Sequence, residues 1–321
     1  MKDAWGRTIE YVRLSLTDAC NFCCPYCRPA EITPQSQTQL LSVDEWMTIL
    51  EAFHRIGVKA VRLTGGEPLL YPHIEELLER IKATGWFEDI SMTTNGSLLS
   101  SRAQRLKKLG LNRVNISLDS LESEAFATCV GKEGQLESVL DGIHSAINAN
   151  FKSVKINTVL SRYWSDDEVK SLLQYVEKWP VVWRFIEYMP FQGDAFHGPT
   201  FDEWKAQLER VSGGPLTEVH SVYGFGPATY LALPSGKAVG FIFSMSHSYC
   251  DTCNRVRLTS DGQMRLCLLR DDEADLVSLI RNGATAEDLA EHIERALQRK
   301  QERHDGIGMD QPERPMWRIG G

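Results

Sequence analysis

Four of the chain's eight cysteines fall in one run of eight residues, CNFCCPYC at 20–27. Cys20, Cys24 and Cys27 give the spacing C-x3-C-x2-C directly after a β-rich run. Three thiolates on one short loop can hold three corners of a cubane [4Fe–4S] cluster and leave the fourth iron open to a ligand. A structural zinc wants four protein ligands, and no neighbouring histidine completes this set. A second constellation, CDTCNRVRLTSDGQMRLC, places Cys250, Cys253 and Cys267 as C-x2-C-x13-C. A redox C-x-x-C has no use for Cys267, and a zinc ribbon would need another pair. The simplest reading is a second cluster, again with an open iron. Cys23 is surplus to the first triad, and Cys129, in a helix-like stretch, reads as a small hydrophobe.

Arg255 and Arg257 lie between the ligands of the second triad, and strand alternation projects them to one side. Two guanidiniums converging there suit a polyphosphate, because each forks onto phosphate oxygens. A solvated strand face is the alternative reading of the same spacing.

The elements that must position these residues follow a simple rhythm. Six β-rich runs, YVRLSL, KAVRLTGG, EDISMTTN, NRVNISLD, SVKINTVL and VVWRFIEY, alternate with helical patterns. One helix is announced by Ser42 and Glu45, spaced as a capping box, and another by the stripe Leu136, Val139, Leu140, Ile143 and Ile147. Repeated strand–helix–strand units imply a parallel sheet or an incomplete barrel, since six units are too few for an eightfold one. No G-x-G-x-x-G follows the first strand to support a dinucleotide site. After residue 200 the chain turns Gly-rich and β-like, with hairpin signals at Pro234-Ser235-Gly236 and Ser260-Asp261-Gly262. A helical pattern from Thr285 and an aperiodic tail ending in Gly320-Gly321 close it. The expected fold class is therefore α/β: an incomplete (β/α)6 TIM-like barrel over 1–200, closed by a smaller C-terminal α+β region over 201–321.

With 321 residues, 42% hydrophobic and 24% charged, the composition is that of a globular protein. No apolar run approaches the roughly 18 residues of a membrane span, and the N-terminus lacks a secretory pattern. A cytoplasmic location, with cysteines kept for metal rather than disulfides, is expected. The net charge of −8 argues against a general nucleic-acid binder, while leaving room for a local basic pocket.

C-x3-C-x-Y-C after the first strand and TGGEP after the second resemble the radical S-adenosylmethionine (SAM) enzymes. The resemblance implies that the open iron of the first cluster chelates SAM and cleaves it to a 5′-deoxyadenosyl radical. Gly65 and Gly66 would then let backbone approach the methionine moiety, Glu67 would pair with its ammonium group, and Tyr26 would pack beside the adenine. Adding NISLDS, VKINTV, RFIEYMP, CNRVR and the terminal GG, nearly the whole chain is similar to one family, the GTP 3′,8-cyclases of molybdenum-cofactor biosynthesis. That likeness implies two [4Fe–4S] clusters facing one cavity, with SAM contacted by Tyr26, Gly66, Ser117 and Met189. GTP would be held by Arg13, Arg62, Thr93, Lys155, Arg255 and Arg257. It implies a radical that takes hydrogen from the ribose 3′ carbon, which then attacks carbon 8 of guanine. Gly320 and Gly321 would reach into that site as catalytic residues. Implied partners are an electron donor such as flavodoxin or ferredoxin and the downstream cyclic pyranopterin monophosphate synthase, with the chain a monomer or homodimer.

The sequence departs from the family's usual pattern at Ala19 and Cys23, where arginine is usual, at Arg28 in place of methionine, and at Tyr71 in place of arginine. Two other readings stand beside the cyclase. One is a paralogous radical SAM enzyme with an auxiliary cluster and a different substrate. The other is a non-catalytic iron–sulfur or zinc protein, which leaves TGGEP without a reason.

Overall fold

Alternation along the strands decides which side of the sheet is oil and which is polar, and here the two sides differ sharply. The computed structural model describes residues 1–27, 40–189, 198–219, 224–304, 314 and 316–319. Its first part runs β1 (Tyr11–Ser15), α1 (Val43–Arg55), β2 (Ala60–Thr64), α2 (Ile74–Thr84), β3 (Asp89–Thr94), α3 (Ala103–Lys108), β4 (Arg113–Ser117), α4 (Ser123–Val130), α5 (Leu136–Asn148), β5 (Ser153–Val159), α6 (Asp166–Lys178) and β6 (Val182–Ile186). All six expected β runs are strands. They pair in sequence order, every pair parallel.

The later part supplies α7 (Phe201–Ser212), β7 (Thr217–Glu218), β8 (Thr229–Ala232), β9 (Ala238–Ile242), β10 (Arg255–Leu258), β11 (Gln263–Arg265), β12 (Glu273–Asp275), α8 (Val277–Arg281) and α9 (Ala286–Leu297). These strands do not form a sheet of their own. The order is β12-β11-β10-β1-β2-β3-β4-β5-β6-β9-β8-β7. β10 adds parallel to β1 on one flank and β9 adds parallel to β6 on the other. Eight parallel strands thus form the centre of one twelve-stranded sheet, and antiparallel hairpins finish both edges. The expected boundary after residue 200 does not divide this sheet, because hydrogen-bonded ladders cross it on both sides. The two hairpin signals are real: residues 234–236 join β8 to β9, and residues 260–262 join β10 to β11.

The helices start where the sequence says they should. Ser42 and Glu45 form a reciprocal capping box on α1, and Ser165–Glu168, Thr200–Glu203 and Thr285–Asp288 do the same for α6, α7 and α9. Their apolar stripes meet one face of the sheet. Val12, Leu14, Val61, Leu63, Met92, Val114, Ile116, Ile156, Trp183 and Phe185 share a continuous core with Trp46, Phe53, Leu77, Ile143 and Leu172. The residues between them in each strand, such as Arg13, Arg62, Asn115, Lys155 and Arg184, must face the other way.

Candidate active site

That second face is buried and yet cationic. The ladder aligns Arg257, Arg13, Arg62 and Ser91 in one row across β10, β1, β2 and β3. Thr93, Asn115 and Lys155 align in the next across β3, β4 and β5, and Asn157 sits opposite Arg184 on β6. Arg62, Lys155, Arg184, Arg255 and Arg257 are each 8% exposed or less. The solvated-strand reading of Arg255 and Arg257 is therefore wrong.

Asp89 pairs with Arg113 at the edge of this face and also bears on Lys155. Arg62 donates to Ser91 Oγ at 3.2 Å, and Arg184 bridges Asn157 Oδ1 and Asn115 Oδ1 at 2.6 and 2.7 Å. Lys155 Nζ stands 3.5 Å from the Tyr230 hydroxyl. Burial, with Arg184, Arg113 and Arg62 nearby, brings the Lys155 amine down to about 6. Burial and neighbouring arginines also lower Arg13 well below its ordinary range and bring Arg257 to about 10. Several polar atoms on this face are buried without a hydrogen-bond partner: Tyr11 Oη, Ser15 Oγ, Thr93 Oγ1 and Arg255 Nε. A cluster of buried cations and orphaned donors is costly for the chain alone, and an anion among them reverses the sign.

At the C-terminal end of β1 the chain leaves the sheet into the first cysteine loop, and TGGEP leaves β2 beside it. A Cβ on Gly65 would lie 2.5 Å from the Thr17 carbonyl oxygen, and one on Gly66 would lie 2.4 Å from that of Ala19. Gly65 also has φ +155°. Gly66 N donates to Thr17 O at 2.7 Å, and Glu67 N to Ala19 O at 2.8 Å. In the structure the two glycines admit the chain itself, clamping the residues just before Cys20.

Glu67 is fully buried and accepts from Leu69 N, Thr94 Oγ1 and Asn95 N at 3.0, 2.8 and 2.7 Å. Burial brings its carboxyl up to about 7 despite those bonds. Asn95, held this way, turns its amide to Asn21 Oδ1 at 2.8 Å and to Cys20 Sγ at 3.9 Å. Glu67 thus acts on the loop through Asn95.

Tyr26 donates to Asp119 Oδ2 at 2.7 Å, and Asp119 Oδ1 accepts from Val159 N at 2.8 Å. Asp119, within the NISLDS motif but assigned no role from sequence, therefore ties the cysteine loop to β5. Burial brings its carboxyl up to about 6. Burial, then Cys27 and Asp119, also raise the Cys24 thiol well above its usual value.

The second triad behaves differently. Cys250, Cys253 and Cys267 line one cavity together with Arg255, Arg257, Lys300 and His304. A hydrogen bond from His304 is the main reason the Cys250 thiol falls to about 6. Burial opposes the Cys253 thiolate, but Lys300 and Arg255 outweigh it, and the net direction is down. Arg7, from an N-terminal hook closed by the antiparallel bridge between Lys2 and Thr8, donates to the Cys250 carbonyl at 2.9 Å.

All six cysteines are free thiols. Among the described residues, no three His, Cys, Asp or Glu side chains converge closely enough to hold a single metal ion. A cubane asks for a different arrangement, because each thiolate binds its own iron and the sulfurs stand apart. Two three-thiolate loops therefore fit such clusters by donor chemistry.

Ser117 closes β4, and Met189 Sδ accepts, at 3.2 Å, from Ser244 Oγ, a residue that lines the cavity of the second triad. Gly320, Gly321 and Arg28 lie outside the described residues. Of the departures from the family pattern, Tyr71 faces the core, 2% exposed, and donates to Leu41 O at 2.9 Å. Cys23 is pinned through its backbone to Val130 O at 3.0 Å. Ala19 contributes its carbonyl to the TGGEP clamp. Arg184 and its partners Asn115 and Asn157 were missed, although an arginine in the middle of the apolar run VVWRFI was a visible signal.

Residues 14–176 match the Radical SAM superfamily, and residues 181–306 match the family described as Molybdenum Cofactor Synthesis C. A GTP 3′,8-cyclase of Pelotomaculum thermopropionicum is 38% identical over 326 residues, with all of both chains covered. One of Moorella thermoacetica is 38% identical over 327 residues, again over both full lengths. Molybdenum cofactor biosynthesis protein 1 of Mus musculus is 37% identical over 325 residues, which is all of this chain and 51% of that one. Among solved structures, Streptococcus suis SuiB bound to S-adenosylmethionine aligns with TM-score 0.64 at 15% identity, over 88% of this chain and 68% of that chain. At that identity the likeness concerns the fold.

Proposed function

Because the chain belongs to the radical SAM superfamily and, over its full length, to the GTP 3′,8-cyclases, we propose that it converts GTP to 3′,8-cyclo-7,8-dihydro-GTP in molybdenum-cofactor biosynthesis. The observation that carries this reading is the buried cationic face between the two cysteine sites. A triphosphate laid on Arg13, Arg62, Lys155, Arg255 and Arg257 would meet several basic side chains converging on one buried face of the sheet. Arg184, fixed by Asn115 and Asn157, joins that set, and Thr93 offers an unused hydroxyl.

The eight parallel strands are read as an incomplete barrel, with the cationic face as its interior and the C-terminal region closing it. Cys20, Cys24 and Cys27 would hold one [4Fe–4S] cluster, and Cys250, Cys253 and Cys267 a second. Bound together, the first cluster and SAM supply a 5′-deoxyadenosyl radical. SAM is a sulfonium cation, and the carboxyl groups of Glu67 and Asp119 behind the first loop suit it. Tyr26, held by Asp119, would flank the adenine, and Gly66, Ser117 and Met189 would be further SAM contacts. GTP is an anion and suits the second site. Gly320 and Gly321 would enter the cavity as the tail. An electron donor such as flavodoxin or ferredoxin, a downstream cyclic pyranopterin monophosphate synthase and a cytoplasmic setting complete the proposal. No helix among the described residues is long and apolar enough to cross a membrane.

The test is anaerobic incubation of reconstituted protein with SAM, dithionite and GTP, followed by chromatography and mass analysis of the nucleotide. A GTP isomer with altered retention is expected. Formation of 5′-deoxyadenosine without it would instead favour a paralogue with another substrate. A chain lacking Gly320 and Gly321 should keep its iron and lose the cyclised product.

A further inference from the structure

Lys300 lies three residues beyond the end of α9, where a lysine ordinarily trails into water. Here it is 3% exposed. Its ammonium donates to the carbonyl of Leu266, the residue before Cys267, and it lines the same cavity as Cys250, Cys253 and Cys267. Nearby, Asp271 and Glu273 pair with Arg265, and Asp251 with Arg303. A buried ammonium costs several kcal/mol unless an anion compensates it, and a carbonyl dipole does so only in part. Among the described residues that line the cavity there is no Asp or Glu, and the anionic partner they offer is sulfur.

The backbone that carries this amine is anchored. The Lys300 carbonyl accepts from Trp5 Nε1 at 2.9 Å, and its amide donates to Leu297 O at 3.2 Å. Arg7, two residues after Trp5, reaches Gln301 O at 2.7 Å as well as the Cys250 carbonyl. The N-terminal hook therefore fixes the C-terminal segment and the second cysteine loop to each other, with Lys300 between them. The amine is delivered to the sulfurs by folded structure.

We propose that Lys300 is a positioning residue that sets the charge balance of the second cysteine site and favours the reduced state of the iron–sulfur group held there. Three thiolates on a cubane give an anionic centre, and each added electron makes it more so. A fixed cation nearby stabilises the reduced form more than the oxidised form and raises the potential. The proposal rests on the reading of Cys250, Cys253 and Cys267 as a second cluster.

The experiment uses the full-length chain carrying Cys24→Ala, anaerobically reconstituted, so that the second site alone gives a paramagnetic signal on reduction. Iron and sulfide are counted, and the midpoint potential is followed by electron paramagnetic resonance, with Lys300 intact, as Lys300→Arg and as Lys300→Gln. Glutamine keeps a donor for the Leu266 carbonyl and removes the charge; arginine keeps the charge. About four irons per chain are expected in all three. At a fixed applied potential the glutamine variant should hold about tenfold less reduced cluster, a negative shift of about 59 mV for one electron. The arginine variant should stay close to the parent. An unchanged midpoint in Lys300→Gln overturns the proposal and leaves Lys300 as a tether, and so does loss of iron in both variants. Absence of iron in the Cys24→Ala parent would remove the second-cluster reading itself.

Discussion

The two cysteine sites share a donor set and differ in everything around it. Behind Cys20, Cys24 and Cys27 stand Glu67 and Asp119, both buried, and burial with Cys27 and Asp119 holds the Cys24 thiol up. Around Cys250, Cys253 and Cys267 stand His304, Lys300, Arg255 and Arg257, and the Cys250 and Cys253 thiols are held down. The lesson is that three cysteines state only that a cluster fits. The charge of the surroundings adds what the thiols cannot: carboxyl groups stand behind the first loop and cations around the second.

The sharpest way to break this comparison is to remove one sulfur from each site. Cys24→Ala should abolish 5′-deoxyadenosine formation altogether. Cys253→Ala should leave SAM cleavage measurable and eliminate the cyclised nucleotide. Equal loss of both products in the two variants would mean that the sites do not divide the work. A more selective probe is Gly66→Ala, whose Cβ would meet the Ala19 carbonyl oxygen at 2.4 Å. Iron should fall toward the half associated with the second site, about four per chain. Full iron content would show that the clamp on the cysteine loop is dispensable.

A third test concerns protons at the anionic end. With no anion bound, the Lys155 amine titrates at about 6, far below its usual value near 10.4. The unfolded chain therefore binds more protons at this group between those values, and the stability of the ligand-free protein should rise with pH across that window. A triphosphate beside the amine restores its charge. GTP binding at pH 8 should thus take up to about one proton, and affinity should fall up to about tenfold per pH unit above 6. Calorimetry in two buffers of different ionisation enthalpy measures the uptake, and Lys155→Met should abolish it. The smallest effect belongs to Tyr71→Phe. Losing the bond to Leu41 O should cost about 1 kcal/mol in denaturant melts and leave turnover unchanged. A large loss of turnover would return Tyr71 to the active site.

Much of this architecture was legible because local rules and the global fold agree. The six β runs, the Ser42–Glu45 cap and both hairpins are short-range signals, and each appears where expected. What escaped was long-range. That β9 and β10 join opposite flanks of the first sheet depends on pairing partners far apart in sequence, and nothing in GFI or RVRL names Ile186 or Leu14 as neighbours. The site shows the same division. Cysteine spacing exposed the metal chemistry, and RVRL exposed two cations. That Glu67 also holds the strand end after β3 was not legible, because a sequence does not say which way a side chain turns. Its partners, Thr94 and Asn95, lie a whole strand–helix unit downstream. Arg184 was passed over because its strand reads as core, although only one face of that strand is core.

The two-flanked sheet also bears on how the chain is made. By the time β6 leaves the ribosome, six parallel strands are available, and neither outer edge has its final neighbour. The strand that completes the β1 flank ends at Leu258, far behind Ile186 in the chain. At roughly 5–20 residues per second, about 70 residues take roughly 4–14 s to synthesise. For most of that interval, until β9 ends at Ile242, both edges offer unpaired backbone to any other strand, the geometry from which aggregates grow. The hairpins that end the mature sheet on both sides are also the last strands to arrive, so the chain's solubility during synthesis rests on its final third.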